Sequence, residues 1–187
     1  MSDYRRYFVA GGTYFFTVVT YRRRRLLTTD LARGCLRAAI EMARDRRPFE
    51  MPAIVLLPDH LHALWSLPPG DADYSTRWRR IKERFTADYL AQGGSEGPSS
   101  ASRRNRGERG VWQRRFWEHA IKDENDFERH FDYIHYNPVK HRLVDCPRQW
   151  PYSTFSRWSA AGVYGPRWGC RSQGALDFSD LEKTALE

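Results

Sequence analysis

The stretch FEMPAIVLLPDHLHALWSLP, residues 49–68, decides the fold. It holds two apolar runs, FEMPAIVLL and HLHALWSL, parted by Pro58 and Asp59. Apolar runs of this length on either side of a turn pair predict two adjacent strands. Side chains two apart on a strand point the same way. His60 and His62 therefore share a face with Leu64 and Ser66, while Leu61, Ala63, Trp65 and Leu67 line the opposite, core-facing side. Two imidazoles side by side are within reach of one metal ion, or they are ordinary polar tenants of a half-buried strand. A metal site also needs a third ligand and a reaction to serve.

Working outward, TYFFTVVTY (13–21) reads as a strand and RRRR (22–25) as a solvated turn or basic patch. From Asp30 to Arg46, Leu31, Cys35, Ala38 and Met42 fall at helical spacing, with Thr29 or Asp30 as N-cap. Asp73 or Ser75 caps a second helix, whose apolar stripe is Trp78, Ile81, Phe85 and Tyr89; Arg77, Arg79, Arg80, Lys82 and Arg84 lie around its other sides. Residues 92–110, QGGSEGPSSASRRNRGERG, lack apolar periodicity and predict a flexible insertion. VWQRRFWEHAIK (111–122) predicts a strand. A third helix runs from about Asn125 to Asn137, buries Phe127, Phe131 and Ile134, and stops at Pro138.

The order β-α-β-β-α-β-α predicts an α+β, ferredoxin-like fold: a split β-α-β antiparallel sheet with helices on one face and the third helix after the last strand. The other face is expected to be open to nucleic acid. Residues 1–146 form the domain; 147–187, with irregularly spaced Pro, Gly and Trp, form a C-terminal tail packed on it or partly mobile.

Composition narrows the function. A length of 187 residues is that of one domain, and 41% hydrophobic content suffices for a core. No apolar run approaches the ~20 residues that span a bilayer. The start MSDYRRYFVAGGTYFF puts charges and two glycines where a signal peptide carries its apolar stretch, so a cytoplasmic protein is expected. Cys35, Cys146 and Cys170 are few, odd in number and widely separated, and are expected as reduced thiols. The net charge is +8, and 27 of the 31 basic residues are arginine. Arginine's planar donor fork suits phosphates and bases, which favours a nucleic-acid partner; a GC-rich coding sequence produces the same bias.

The third helix supplies what the histidine pair lacks. In DYIHYNP (132–138), Tyr133 and Asn137 are four apart and fall on one helical face. The Asn137 carbonyl oxygen can ligate a cation, although Pro138 biases Asn137 away from helical geometry. A tyrosine hydroxyl becomes a useful nucleophile towards a phosphate that a metal polarises. Alternatively, Tyr133 packs on the sheet and Asn137 caps the helix.

The combination resembles a known family. LLPDHLHALWSLP looks like the HUH motif (histidine, bulky hydrophobic, histidine) of single-tyrosine transposases and relaxases. FDYIHYNPVKHRLV resembles their tyrosine-bearing helix. With YRRYFVAGGTYFFTVVTYRRRRLL, FWEHAIKDENDFERHFDYIHYNPVKH and WPYSTFSRW, the chain resembles the REP-associated tyrosine transposases from about Tyr4 to Trp158, broken by the insertion. The resemblance implies a single-strand DNA endonuclease and strand transferase acting on hairpin-forming palindromic repeats through a 5′-phosphotyrosyl link. It matches His60, His62 and Asn137 to the metal site and Tyr133 to the nucleophile. Relatives use Mg²⁺ or Mn²⁺, and two imidazoles suit Mn²⁺, Co²⁺ or Zn²⁺ better than Mg²⁺. It also implies bacterial, nucleoid-associated work as a monomer or homodimer, with no membrane and no small-molecule substrate.

Arg5, Arg6, Arg22, Arg23, Arg24, Arg25, Arg79, Arg80, Lys82, Arg114, Arg115 and Lys140 are expected to hold DNA, mostly through phosphates. Trp78 and Trp112 either stack on unpaired bases or belong to the core. Tyr136, roughly 60° round the helix from Tyr133, is a weaker nucleophile candidate. Two other readings compete: a non-catalytic single-strand RNA- or DNA-binding module on the same sheet, and a zinc hydrolase using His60, His62 and His119.

Overall fold

A computed structural model of the chain describes residues 8–98, 105, 107 and 109–181. Arg5, Arg6 and much of the predicted insertion lie outside these residues. The elements are β1 (Thr13–Val19), α1 (Asp30–Arg46), β2 (Glu50–Leu56), β3 (His60–Ser66), α2 (Tyr74–Ala91), β4 (Trp117–Ala120), α3 (Glu124–Lys140) and α4 (Phe155–Ala160). The strands form one antiparallel sheet in the order β2-β3-β1-β4, as a split β-α-β fold requires. Thr29, Asp73 and Asp123 cap the three long helices, their side chains accepting from the N–H groups of Ala32, Thr76 and Asp126.

Strand alternation sorts the residues onto two buried faces. Tyr14, Phe16, Val18, Leu61, Ala63 and Trp65 pack with α1 and α2. Trp65 stacks on Trp78 at 4.2 Å and lies 4.1 Å from Phe49. Trp78 and Trp112 are buried here and belong to the core. Phe15, Ala53, Val55 and Leu64 face the other way, against Phe131, Tyr133 and Ile134 of α3. The first two helices share one face as expected, but the face expected to be open is covered by α3. An amphipathic helix that follows the last strand has this apolar surface to bury itself on.

Four local expectations are corrected. The strand predicted over 111–122 is reduced to Trp117–Ala120, because exposed Gln113, Arg114 and Arg115 interrupt the alternation; Trp112 makes only a bridge to Thr20. Pro138 does not stop α3, which runs on to Lys140. Proline forfeits one backbone donor, and burial of Asn137, Pro138 and Val139 holds the last turn in place. Arg77 is buried, donating to Asp71 and to the Arg47, Pro48 and Asp73 carbonyls. Cys146 and Cys170 form a disulfide, and Cys35 alone is a free thiol. Their separation of 24 residues hid a pairing that the returning tail creates.

The tail contributes to the core. Phe155, Tyr164 and Phe178 join the α3 cluster. Tyr152 O accepts from Leu56 N at 2.8 Å and Thr154 N donates to Ile54 O at 3.0 Å, so this segment covers the edge of β2. His135 is clamped by Tyr164 Oη and Thr154 Oγ1, each at 2.9 Å. At the insertion, Gly97 N donates to Gly110 O at 2.8 Å and Glu96 pairs with Arg109, so its two ends meet.

Candidate active site

Register places the histidine pair. His62 lies opposite Thr17 of β1 and Val55 of β2, and His60 opposite Val19. Both are buried, with ring centroids 5.0 Å apart. Each is held by Nδ1: His62 by Thr17 Oγ1 at 2.9 Å, His60 by Asp59 Oδ1 at 2.7 Å. A partner on Nδ1 orients the ring and leaves Nε2 as the available donor to a metal. The hydrogen bond to His60, with Arg23 adding charge at 3.0 Å, holds the Asp59 carboxyl well below the usual carboxylate range. Burial, reinforced by His60, Lys140 and His141, holds His62 well below the ordinary imidazole range, which keeps it neutral as a metal ligand requires.

The last two turns of α3 face this pair. The Tyr133 ring lies 5.4 Å from the His62 ring, and both touch Phe15. Asn137 remains helical despite Pro138, so it stands one turn beyond Tyr133 on the same face. Asn137 Nδ2 donates to Tyr133 O at 3.3 Å. Its Oδ1 is buried without a hydrogen-bond partner. Burying such an acceptor unpaired is costly, and a cation held by the histidines would satisfy it if it also reached this oxygen. Two imidazoles and an amide oxygen thus fit a divalent ion. Lys140 Nζ donates to the Tyr133 hydroxyl at 2.9 Å. Tyr136 packs on Phe178 at 5.7 Å, and the Tyr133 ring meets the same Phe178 at 5.6 Å.

The remaining predicted residues divide. Arg23 and Arg25 line a cleft with Asp59, His60 and His141. Arg22 is exposed, while Arg24 is bonded to Ser95. Arg79, Arg80 and Lys82 lie on α2, in the layer across the sheet from Tyr133; Lys82 reaches the Gln113 and Arg114 carbonyls. Arg114 and Arg115 are exposed beyond α2. His119 does not join His60 and His62. It sits on β4, two strands from β3, a lateral offset of roughly 10 Å. Asp59, Thr17 and His141 went unrecognised in the sequence. Asp59 is the neighbour of His60, and His141, whose ring is 5.2 Å from that of His60, lies one turn past Asn137.

Comparison with known proteins decides the family. The chain is 46% identical over 184 residues to the REP-associated tyrosine transposase of Escherichia coli (strain K12), covering 98% of each protein. It belongs to the REP-associated tyrosine transposases. A Haemophilus influenzae relative bearing the same family name is 43% identical over 169 residues, 90% of this chain and 94% of that one. A solved structure of a REP-associated tyrosine transposase bound to a REP hairpin matches with a TM-score of 0.76 at 44% identity, over 96% of both chains. No family profile matches the chain. As a REP-associated tyrosine transposase it is an enzyme, and among its described residues no helix is long and apolar enough to cross a membrane.

Proposed function

We propose that this transposase cuts and rejoins single-stranded DNA beside hairpin-forming palindromic repeats, with Tyr133 as nucleophile and His60, His62 and Asn137 holding a divalent cation. The observation that carries the reading is the Tyr133 ring 5.4 Å from His62, with the unpartnered Asn137 Oδ1 one turn along the same helix. The hairpin-bound relative supports the class of substrate. A non-catalytic binding module leaves this constellation without a purpose.

The reaction is a transesterification. Tyr133 Oη forms a bond to phosphorus and loses its proton to solvent. The bond from phosphorus to O3′ breaks, and O3′ leaves with the electron pair and takes up a proton. The products are a 5′-phosphotyrosyl link and a free 3′-OH. Attack by a 3′-OH on the link reverses the chemistry without ATP, because one phosphodiester replaces another. Thr17 and Asp59 hold the two imidazoles in orientation, Asn137 offers a buried, unpartnered amide oxygen one turn past Tyr133, and Lys140 sets a positive charge beside the attacking oxygen. A bound cation supplies Lewis-acid polarisation of the scissile phosphate. The donor set favours Mn²⁺ over the harder Mg²⁺.

Arg23 and Arg25, flanking His60, take phosphates next to the cut, and Arg22, Arg79, Arg80, Arg114 and Arg115 extend the basic surface. A DNA substrate places the work at the nucleoid. The test is to incubate the protein with Mn²⁺ and a labelled single strand carrying a palindromic hairpin with flanks. A covalent protein–DNA species on a denaturing gel, absent with a scrambled strand, is the expected outcome; tight binding with no such species contradicts the proposal.

A further inference from the structure

On the sheet face that carries His60 and His62, but two strands across at β4, that strand and the first turns of α3 bring a second set of donors together. The ligand atoms of His119, Asp126 and His130 all lie within 4.8 Å of one another. Asp126 bridges the two imidazoles, with Oδ2 2.8 Å from His119 Nε2 and Oδ1 3.0 Å from His130 Nδ1. The two rings stack at 4.7 Å with 17° between their planes. Asp126 and His130 are one helical turn apart, and β1 and β4 pair at Phe15 and His119, so regular secondary structure fixes the cluster.

These separations suit an ion. Donors about 2.1 Å from a tetrahedral metal stand about 3.4 Å apart, so the two contacts to Asp126 need open by only about half an ångström. The His119 and Asp126 side chains retain 15% and 17% exposure, which leaves a route from solvent. We propose that His119, Asp126 and His130 form a second divalent-metal site, independent of His60 and His62. Two imidazoles and one carboxylate make it a site for Zn²⁺ or a similar borderline ion, with water completing the coordination.

Binding exchanges contacts already present. The ion replaces the two imidazole–carboxylate contacts, and each ring carries its proton on the other nitrogen or releases it. His130 Nδ1 also gives up its 2.8 Å contact with the Asp126 carbonyl oxygen. Asp126 Oδ2 keeps the Lys122 N–H at 2.9 Å. The consequence is a staple between β4 and α3, seven residues before Tyr133.

The test is metal stoichiometry on the full chain, stripped with chelator and reloaded with Zn²⁺, read by elemental analysis after gel filtration. Co²⁺ absorption reports the ligand set. Two equivalents are expected in the wild type and one in the variant carrying both His60→Ala and His62→Ala. Asp126→Asn and His119→Gln should each lose one equivalent and keep the other. Zn²⁺ should raise the unfolding midpoint of the doubly substituted chain, and adding Asp126→Asn should remove that rise. The proposal is overturned if the doubly substituted chain holds no ion, or if Asp126→Asn and His119→Gln both leave the count unchanged. The three residues are then a hydrogen-bonded network only. An ion that survives loss of His60 and His62 but not of Asp126, as the wild type's single equivalent, supports this site and contradicts the proposed catalytic one.

Discussion

Lys140 lies two helical turns past Tyr133 and turns back onto it, with Nζ 2.9 Å from the hydroxyl oxygen and 4.7 Å from the ring centroid. A single residue type thus serves two needs, fixing the rotamer of the proposed nucleophile and placing a positive charge where a phosphate must arrive. Replacing Lys140 with Met keeps the apolar stem and removes the charge. Single-turnover cleavage of a hairpin substrate should slow by about 10²-fold, the scale for losing one preorganised donor, while hairpin affinity changes little. A drop in affinity with the cleavage rate preserved would assign Lys140 to DNA binding alone.

The anchors of the histidines should govern metal affinity. Asp59→Asn leaves His60 a neutral partner, and Asn137→Ala removes the unpartnered oxygen. Asp59→Asn should weaken Mn²⁺ binding at this site by about 10- to 100-fold, the usual cost of losing an orienting partner, and Asn137→Ala, which removes a ligand, by at least as much. Isothermal titration of the stripped protein reads this directly. Unchanged affinity in Asn137→Ala means that Asn137 is not a ligand.

Acid should destabilise the fold. Burial pushes His135 down to about 3, where the free imidazole titrates near 6.5. Between those values the unfolded chain binds a proton that the folded chain refuses, so this contribution is complete above about pH 6.5 and is lost as pH falls toward 3. His130 and His62 are shifted in the same direction, and Asp132, raised by burial, opposes them. The thermal midpoint should therefore fall steadily from pH 7 to pH 4. A midpoint that is flat over this interval contradicts the burial of His135.

Trp78 tests the division between core and DNA surface. Its ring stacks on Trp65 and is 1% exposed. Trp78→Ala should cost about 3–5 kcal/mol of stability, read by denaturant unfolding. A stable variant with weakened DNA binding would restore the base-stacking role.

The parts of this molecule that were legible in the sequence are those with a strict period. Alternation in HLHALWS placed both histidines on one face and Trp65 on the other, and the four-residue step from Tyr133 to Asn137 survived the proline inside the last turn of α3. What the sequence hid lacks a period. Phe155, Tyr164 and Phe178 are irregularly spaced, so their return to the α3 face, and the Cys146–Cys170 link beside it, show only in three dimensions. Lys140 read as one more basic residue, because its role depends on where a long side chain folds back. Arg77 lies off the apolar stripe of α2, and its burial could not be read there, since it depends on carbonyls contributed by the α1–β2 turn.

The central claim is that Tyr133 forms the covalent link. The most direct measurement is to trap the protein–DNA species formed with Mn²⁺ and a hairpin strand, digest both components, and locate the phosphorylated residue by mass spectrometry, with Tyr133→Phe in parallel. The account predicts modification at Tyr133 and none in the variant, which still binds the hairpin. Modification at Tyr136, or strand cleavage that persists in Tyr133→Phe, would contradict it.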